Sequence, residues 1–181
     1  MRIVSLLSSA TEIVDLLGLG DHLVGISHEC DHPPHLLDRP RASRIRFDPE
    51  GMSSGEIDAA VREAMARYGS VYEVDRQILA RLQPDLILSQ AVCEVCAVPT
   101  GSVTDAIASL PHPPQVLSLD AHTIDQIVQS VAQVAAAAEP SSDGHTHVDL
   151  LRQRLEQVQA AVTGRGRPRV LLLEWLDPPF L

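Results

Sequence analysis

The alternation of short apolar runs with segments of helical period is the feature that most constrains the fold. Uninterrupted runs rich in Val, Ile and Leu predict five strands, at residues 2–6, 23–27, 85–90, 115–120 and 169–175. Between most of these runs, apolar residues recur at steps of three and four, which indicates amphipathic helices. Strands that are apolar throughout are typical of parallel sheets covered on both faces. The sequence therefore predicts an α/β protein with a Rossmann-like parallel sheet and helices on both faces.

Helix starts are marked by capping boxes, in which Ser or Thr is followed three residues later by Glu or Gln. Residues 9–12, 53–56 and 123–126 carry this pattern and predict three helix starts. A last, long helix of about five turns is predicted after a polar linker, because apolar residues recur there at steps of three and four. Its stripe consists of Val148, Leu151, Leu155, Val158 and Val162.

Composition argues against several classes of function. The chain has 181 residues and a formal net charge of −10, which disfavours nucleic-acid binding, since phosphates require clustered positive charge. No apolar run approaches the roughly 20 residues that a transmembrane helix needs, so no membrane insertion is expected. The N-terminal apolar stretch, residues 3–7, is too short for the core of a secretory signal, which predicts a cytoplasmic protein. Since no nucleophile is accompanied by a base, the chain is not expected to be an enzyme.

All three cysteines of the chain follow the ends of predicted strands. Cys30 lies in "SHECDHPP", after the second strand, and Cys93 and Cys96 lie in "AVCEVCAVP", after the third. Because the carboxyl ends of parallel strands share one edge of a sheet, the three thiols are predicted to be neighbours there. Together with His28 they would suit Zn²⁺ or an iron–sulfur cluster, or a redox-sensing role. Three buried apolar side chains are the alternative, because free cysteines are commonly buried.

Three stretches taken together resemble a known protein family. They are "RIVSLLSSATEIVDLLGLGDHLVGISHECDHPP", "QPDLILSQAVCEVCAV" and "RVLLLEWLDPPF". They are similar to the iron/vitamin B12-type (class III) substrate-binding proteins of ABC transporters, and in particular to a branch labelled cobalamin-binding that often lacks an export signal. The family fold has two α/β lobes joined by one long helix. The resemblance implies a first lobe at residues 1–139, a linker and inter-lobe helix at 140–166, and the start of a truncated second lobe at 167–181.

The resemblance also implies a ligand and the residues that face it. The expected ligand is cobalamin, a related corrinoid or an iron chelate, held between the lobes. Trp175 would offer a flat apolar surface to a macrocycle, and His28 would be an axial ligand of cobalt. The ligand-facing positions would be Ser8, Ser9, His28, Glu29, Cys30, Cys93, Glu94, Cys96, Glu174 and Trp175.

The resemblance finally predicts partners. Family relatives are often periplasmic or anchored outside the cell, and they serve an ABC transporter. A lobe without its counterpart is expected to expose the apolar side of residues 171–173 and the tail "PPFL". Such a patch favours self-association as a homodimer, or capture by a chain that supplies the missing lobe.

Overall fold

The computed structural model describes residues 1–91, 98, 100–108, 110–138, 144–173 and 175–180. The described residues form eight strands: β1 Ile3–Ser5, β2 Leu23–Ile26, β3 Ser43–Ile45, β4 Tyr72–Val74, β5 Leu86–Ser89, β6 Gln115–Ser118, β7 Trp175–Leu176 and β8 Pro179–Phe180. The same residues form six α-helices: α1 Ser8–Leu16, α2 Ser54–Tyr68, α3 Arg76–Leu82, α4 Thr100–Ile107, α5 Ile124–Ala138 and α6 Gly144–Val162. Within these residues, no helix combines the length and the hydropathy needed to cross a bilayer.

A four-stranded parallel sheet forms the centre of the fold. Its strand order is β2-β1-β5-β6, and every neighbouring pair runs parallel. β1 and β5 are buried along their whole length, as expected for strands that carry helices on both faces. The predicted fold class and four of the five predicted strands are therefore confirmed.

Each face of the sheet has its own apolar core, because side chains alternate along a strand. Ile3, Leu86 and Leu88 point to one face, where they pack with residues of α1 and α5. Val4 and Ile87 point to the other face and pack with residues of α3 and α4. The uninterrupted apolar runs in the sequence are thus explained by burial on both sides.

The connections on either side of β1 and β5 run in opposite directions. The connection through α1 carries the chain from β1 to β2 at one edge, and the connection through α4 carries it from β5 to β6 at the other. The carboxyl ends of β1 and β5 therefore form a topological switch point. In open α/β sheets this is where a crevice forms and ligands bind.

A two-stranded antiparallel sheet, β3 with β4, extends the molecule beside β2. It is linked to the main sheet by a parallel bridge between Ile26 and Arg41. Both strands have only three residues and mix polar with apolar side chains. The sequence did not predict them, because three residues are too few to establish a period of two.

Helix α6 confirms the predicted long helix and packs against α5. Its 19 residues correspond to about 28 Å at 1.5 Å per residue. Only the first part of its apolar stripe is covered: Val148 is buried, whereas Leu155 and Val158 are 42% and 61% exposed. The described residues therefore cover the second half of the stripe only in part.

The predicted strand at residues 169–175 is wrong for most of its length. Residues 169–173 have no regular secondary structure and are exposed, and among the described residues of this range only Trp175 belongs to a strand, the two-residue β7. A strand needs a hydrogen-bonded neighbour, and no described residue pairs with 169–173. Apolar composition alone therefore overstated the tendency of this segment to form a strand.

Two of the three predicted capping boxes are confirmed. Ser53 and Glu56 exchange both capping hydrogen bonds at the start of α2, and Thr123 and Gln126 do so before α5. The box predicted for Ser9 is wrong, because α1 already begins at Ser8 and no side chain caps it. The turn after β1 is held instead by the Ser5 hydroxyl, which donates to the Leu7 carbonyl.

Replacing Gly144 by Ala tests the close approach of α5 and α6. A Cβ atom at Gly144 would lie 2.5 Å from the Cβ of Ala135 and 3.2 Å from the Cα of Ala132. Neither atom can rotate away, so we expect Gly144→Ala to lower the free energy of unfolding by about 1–3 kcal/mol, although Ala favours helix more than Gly does. Urea denaturation followed by circular dichroism measures this change.

Gly101→Ala is the matched control, because a Cβ atom at Gly101 in α4 would have no heavy atom within 4 Å. We expect this variant to be neutral or slightly stabilising. Equal losses of stability at the two positions would contradict the packing argument.

Candidate functional site

The loops that follow β1, β2 and β5 emerge at the same edge of the sheet. We call this edge, with residues 6–9, 27–30 and 90–91, the rim. The strand pairing continues up to it, since the Leu6 amide donates to the Leu88 carbonyl over 2.9 Å. Ser8 is half-buried and Ser9 is exposed, both at the start of α1. Since Ser5 also pairs with Ile26 of β2, the three loops leave the sheet side by side, as predicted.

His28 lies at the centre of a polar cluster on the rim. Its Nδ1 is 2.9 Å from the Ser43 hydroxyl of β3, and its ring lies 4.9 Å from the ring of Tyr72 in β4. Its other nitrogen, Nε2, is 3.1 Å from Oε1 of Glu29. That contact lacks hydrogen-bond alignment, so Nε2 is a buried nitrogen with no hydrogen-bond partner among the described residues.

Burial lowers the pKa of His28 below its ordinary value of 6.5. The Glu29 carboxylate opposes this effect and the Arg41 guanidinium reinforces it, so the net direction is downward. His28 is therefore uncharged at pH 7. The same burial, together with the charge of Glu29, raises the pKa of the Tyr72 hydroxyl.

Arg41 holds the loop that carries these residues. Its guanidinium donates to the carbonyls of Ser27 and Cys30 over 2.8 and 2.6 Å. The Ser27 hydroxyl accepts from the Glu29 amide over 3.2 Å, which tightens the same turn. As a result the loop presents Glu29, whose side chain is 53% exposed, at the surface of the rim.

The Cys30 side chain points into the core. It is 2% exposed, and its sulfur lies 3.1 Å from the Thr11 hydroxyl of α1. Thr11 in turn donates to the Ser5 hydroxyl over 2.9 Å. No group of three or more metal-binding side chains is found within the described part of the chain.

Cys93, Glu94, Cys96 and Glu174 lie outside the described residues, so their predicted roles stay predictions. The described residues fix only the two ends of the segment that contains the two cysteines. The Thr100 amide donates to the Gln90 carbonyl over 3.2 Å, and the Ser89 hydroxyl donates to the Val98 carbonyl over 3.0 Å. This segment therefore starts and ends beside the carboxyl end of β5, next to the switch point.

Trp175 lies in the β7–β8 hairpin and is half-buried. Its indole nitrogen donates to the Asp177 carbonyl within the hairpin over 3.0 Å. The carboxylate of Asp177 lies 3.5 Å from where a Cβ atom of Gly55 would stand, which places the hairpin near the start of α2. The role of Trp175 as a ligand surface remains a prediction.

Sequence reasoning missed three residues that shape the rim, namely Arg41, Ser43 and Tyr72. All three belong to the β3–β4 unit or to the segment leading into it. The only available signal was Tyr72 itself, one of two tyrosines in the chain. A single aromatic residue does not indicate which loop it will face.

The environment of His28 predicts a histidine that binds its proton unusually weakly. In an NMR pH titration of the ring nitrogens, we expect a pKa below 6.5, and a further decrease in Glu29→Gln, which removes the opposing carboxylate. The stabilising contribution of neutral His28 should be present above pH 6.5 and should be lost as the pH falls through the folded-state pKa.

Glu63→Gln serves as the control for the loss of one carboxylate, because Glu63 is an exposed residue of α2 that does not act on His28. A His28 pKa at or above 6.5, or an increase in Glu29→Gln, would contradict this electrostatic account.

No protein-family model matches the chain, and no curated protein matches it in sequence. Solved structures do match: the periplasmic vitamin B12 binding protein BtuF of Vibrio cholerae has a TM-score of 0.64 at 20% identity, over 98% of this chain and 57% of that one. The periplasmic heme binding protein HutB of Vibrio cholerae has a TM-score of 0.58 at 18% identity, over 93% and 51%. An ABC transporter substrate-binding protein from Listeria monocytogenes has a TM-score of 0.58 at 22% identity, over 95% of this chain and 53% of that one.

These likenesses confirm the predicted resemblance at the level of the fold. The chain spans about half the length of the solved structures that it matches. Two of those proteins are described as periplasmic, whereas the cytoplasmic location expected from the sequence stays a prediction. The chain thus shares its fold with one part of each of these binding proteins.

Proposed function

We propose that this chain is a ligand-binding lobe of the vitamin B12, heme and iron-chelate solute-binding type. The observation that carries the proposal is the switch point between β1 and β5, with its crevice-forming loops, in a fold shared with solute-binding proteins. The ligand would be a corrinoid or another metal chelate bound at the rim. The role is binding and not catalysis, as it is for the neighbours whose names describe heme or vitamin B12 binding.

The rim has polar groups suited to a ligand with amide or hydroxyl substituents. Glu29 offers an exposed carboxylate that accepts hydrogen bonds, and Ser8 and Ser9 offer hydroxyl groups at the start of α1. Glu94 and Glu174 are proposed to add further acceptors, and Trp175 a flat apolar face. Since the loop at Glu29 is already held by Arg41, binding would require little reordering there.

His28 is the proposed axial ligand of a chelated metal. Neutral imidazole nitrogen is a common metal donor, and His28 Nε2 is free of hydrogen bonds to the described residues. The Glu29 carboxylate lies 3.1 Å from Nε2 and blocks the approach of a metal, so a metal would have to displace that side chain. The hydrogen bond between Nδ1 and Ser43 would orient the ring while Nε2 coordinates.

The other half of the binding cleft would come from a second lobe. The matched solute-binding proteins are about twice as long as this chain, and we propose that a complementary lobe and an ABC transporter are its functional partners. A rim without a facing surface encloses a ligand on one side only. We therefore expect weaker binding by this lobe than by a two-lobed protein.

Titration of the purified chain with cyanocobalamin, heme and a ferric chelate tests the proposal. We expect saturable binding of one of these classes by equilibrium dialysis. Glu29→Ala should weaken it at least about tenfold, a loss of about 1.4 kcal/mol. His28→Ala should abolish the shift in the absorbance spectrum of the bound metal centre, since that shift reports axial coordination.

His22→Ala is the matched control, because His22 precedes β2 at the opposite edge of the sheet and bonds to Met1. Failure of the chain to bind any of the three ligands would refute the proposal. Binding that is unaffected by Glu29→Ala would show that the ligand does not bind at the rim. Zinc or iron in the purified protein without ligand uptake would support a cysteine-bound metal instead.

A further inference from the structure

A polar pocket lies beside the rim, between the carboxyl end of β6 and the first half of α5. We call it the β6 pocket; its volume is about 280 Å³. Its polar lining consists of Ser118, Asp120, Gln126, Gln129, Ser130 and Gln133. Apolar side chains normally fill the space between a helix and a sheet. A pocket with this lining therefore indicates a place for a polar group.

Asp120 connects the β6 pocket with the rim. Its Oδ1 accepts hydrogen bonds from the Ala91 amide over 2.5 Å and from the Ser118 hydroxyl over 2.9 Å. The Ser118 hydroxyl also lies 3.1 Å from the hydroxyl of Thr100, whose amide donates to the Gln90 carbonyl. The pocket and rim residues 90 and 91 are thus parts of one hydrogen-bonded edge.

Three glutamines line the β6 pocket from one side of α5, since positions 126, 129 and 133 are separated by steps of three and four. Oε1 of Gln126 accepts from the amides of His122 and Thr123 over 2.7 and 3.1 Å, so this side chain keeps its amide donors for other partners. Within the described part of the chain, the carboxamides of Gln129 and Gln133 have no hydrogen-bond partner. The pocket therefore has both donors and acceptors to offer.

The charge of the β6 pocket limits what it can hold. Asp120 is exposed and contributes a carboxylate, and none of the residues that line the pocket is basic. A carboxylate in the pocket would be repelled by Asp120. A primary carboxamide carries no charge and both donates and accepts hydrogen bonds, so it matches the lining.

We propose that the β6 pocket holds a side-chain carboxamide of a corrinoid, and that it makes the rim select corrinoids over heme. This inference rests on the function proposed for the rim. A corrinoid such as cobalamin carries carboxamides around its macrocycle, whereas heme carries two carboxylates there. A heme carboxylate at this edge would meet the negative charges of Asp120 and of Glu29, which is exposed on the same rim.

Equilibrium dialysis with cyanocobalamin, dicyanocobinamide and heme tests this selection. We expect the double variant Gln129→Ala/Gln133→Ala to raise the dissociation constant of both corrinoids about five- to tenfold, because two neutral hydrogen-bonding groups are lost. Cobinamide keeps the side-chain carboxamides but lacks the nucleotide, so equal losses would assign the contact to the carboxamides.

Heme should bind at least about tenfold more weakly than cyanocobalamin, because like charges would face each other at the rim. Asp120→Asn should reduce this difference. The variant removes the charge and retains an oxygen that can accept from Ala91 and Ser118.

Gln115→Ala is the matched control for the glutamines, because Gln115 is an exposed residue at the start of β6, at the edge opposite the rim. Glu63→Gln in α2 is the control for the loss of one carboxylate. Neither should change the dissociation constants, and thermal melts should show that all variants fold.

A loss confined to cyanocobalamin would overturn the inference, because the pocket would then hold the nucleotide. Heme binding as tight as corrinoid binding, or corrinoid binding unaffected by the glutamine variants, would also overturn it and leave the function proposed for the rim intact. Failure of all three ligands to bind would refute that function as well.

Discussion

The parallel pairing of β1 with β5 is the contact on which the rest of the molecule depends. The register that sets Ile3 beside Leu86 and Ser5 beside Leu88 joins two strands whose following helices leave in opposite directions. Loops that diverge in this way cannot cover the sheet edge between them, so a crevice forms there. The same pairing also completes both apolar cores, because Ile3 and Leu86 face one side while Val4 and Ile87 face the other.

The rim loop after β2 presents neighbouring residues to different surroundings. Arg41 fixes the carbonyls of this turn, and successive side chains then point toward the core, the β3–β4 unit or solvent. Glu29 is exposed, His28 is half-buried beside Ser43 and Tyr72, and Cys30 is in the core. The rim thus carries the exposed carboxylate of Glu29 beside the uncharged imidazole of His28. The thiol of Cys30 is used in packing and in a contact with Thr11.

The uneven distribution of charge and apolar surface divides the molecule into two parts. The sheet with its flanking helices carries the negative charge and buries most of its apolar residues, whereas residues 144–173 are basic and leave the second half of an apolar stripe only partly covered. Val148 packs on α5, but the helix continues beyond its neighbour and exposes Val158.

The sequence by itself determined the fold class, the four strands of the main sheet, the long helix and two of the three capping boxes. These features depend on local patterns: apolar runs for strands buried on both faces, and fixed offsets for helix starts. The tertiary structure alone decided how the rim is built, because Arg41, Ser43 and Tyr72 reach His28 from a short antiparallel unit with no periodic signal. It also decided that residues 169–173 form no strand, since strand formation requires a hydrogen-bonded neighbour that composition cannot supply.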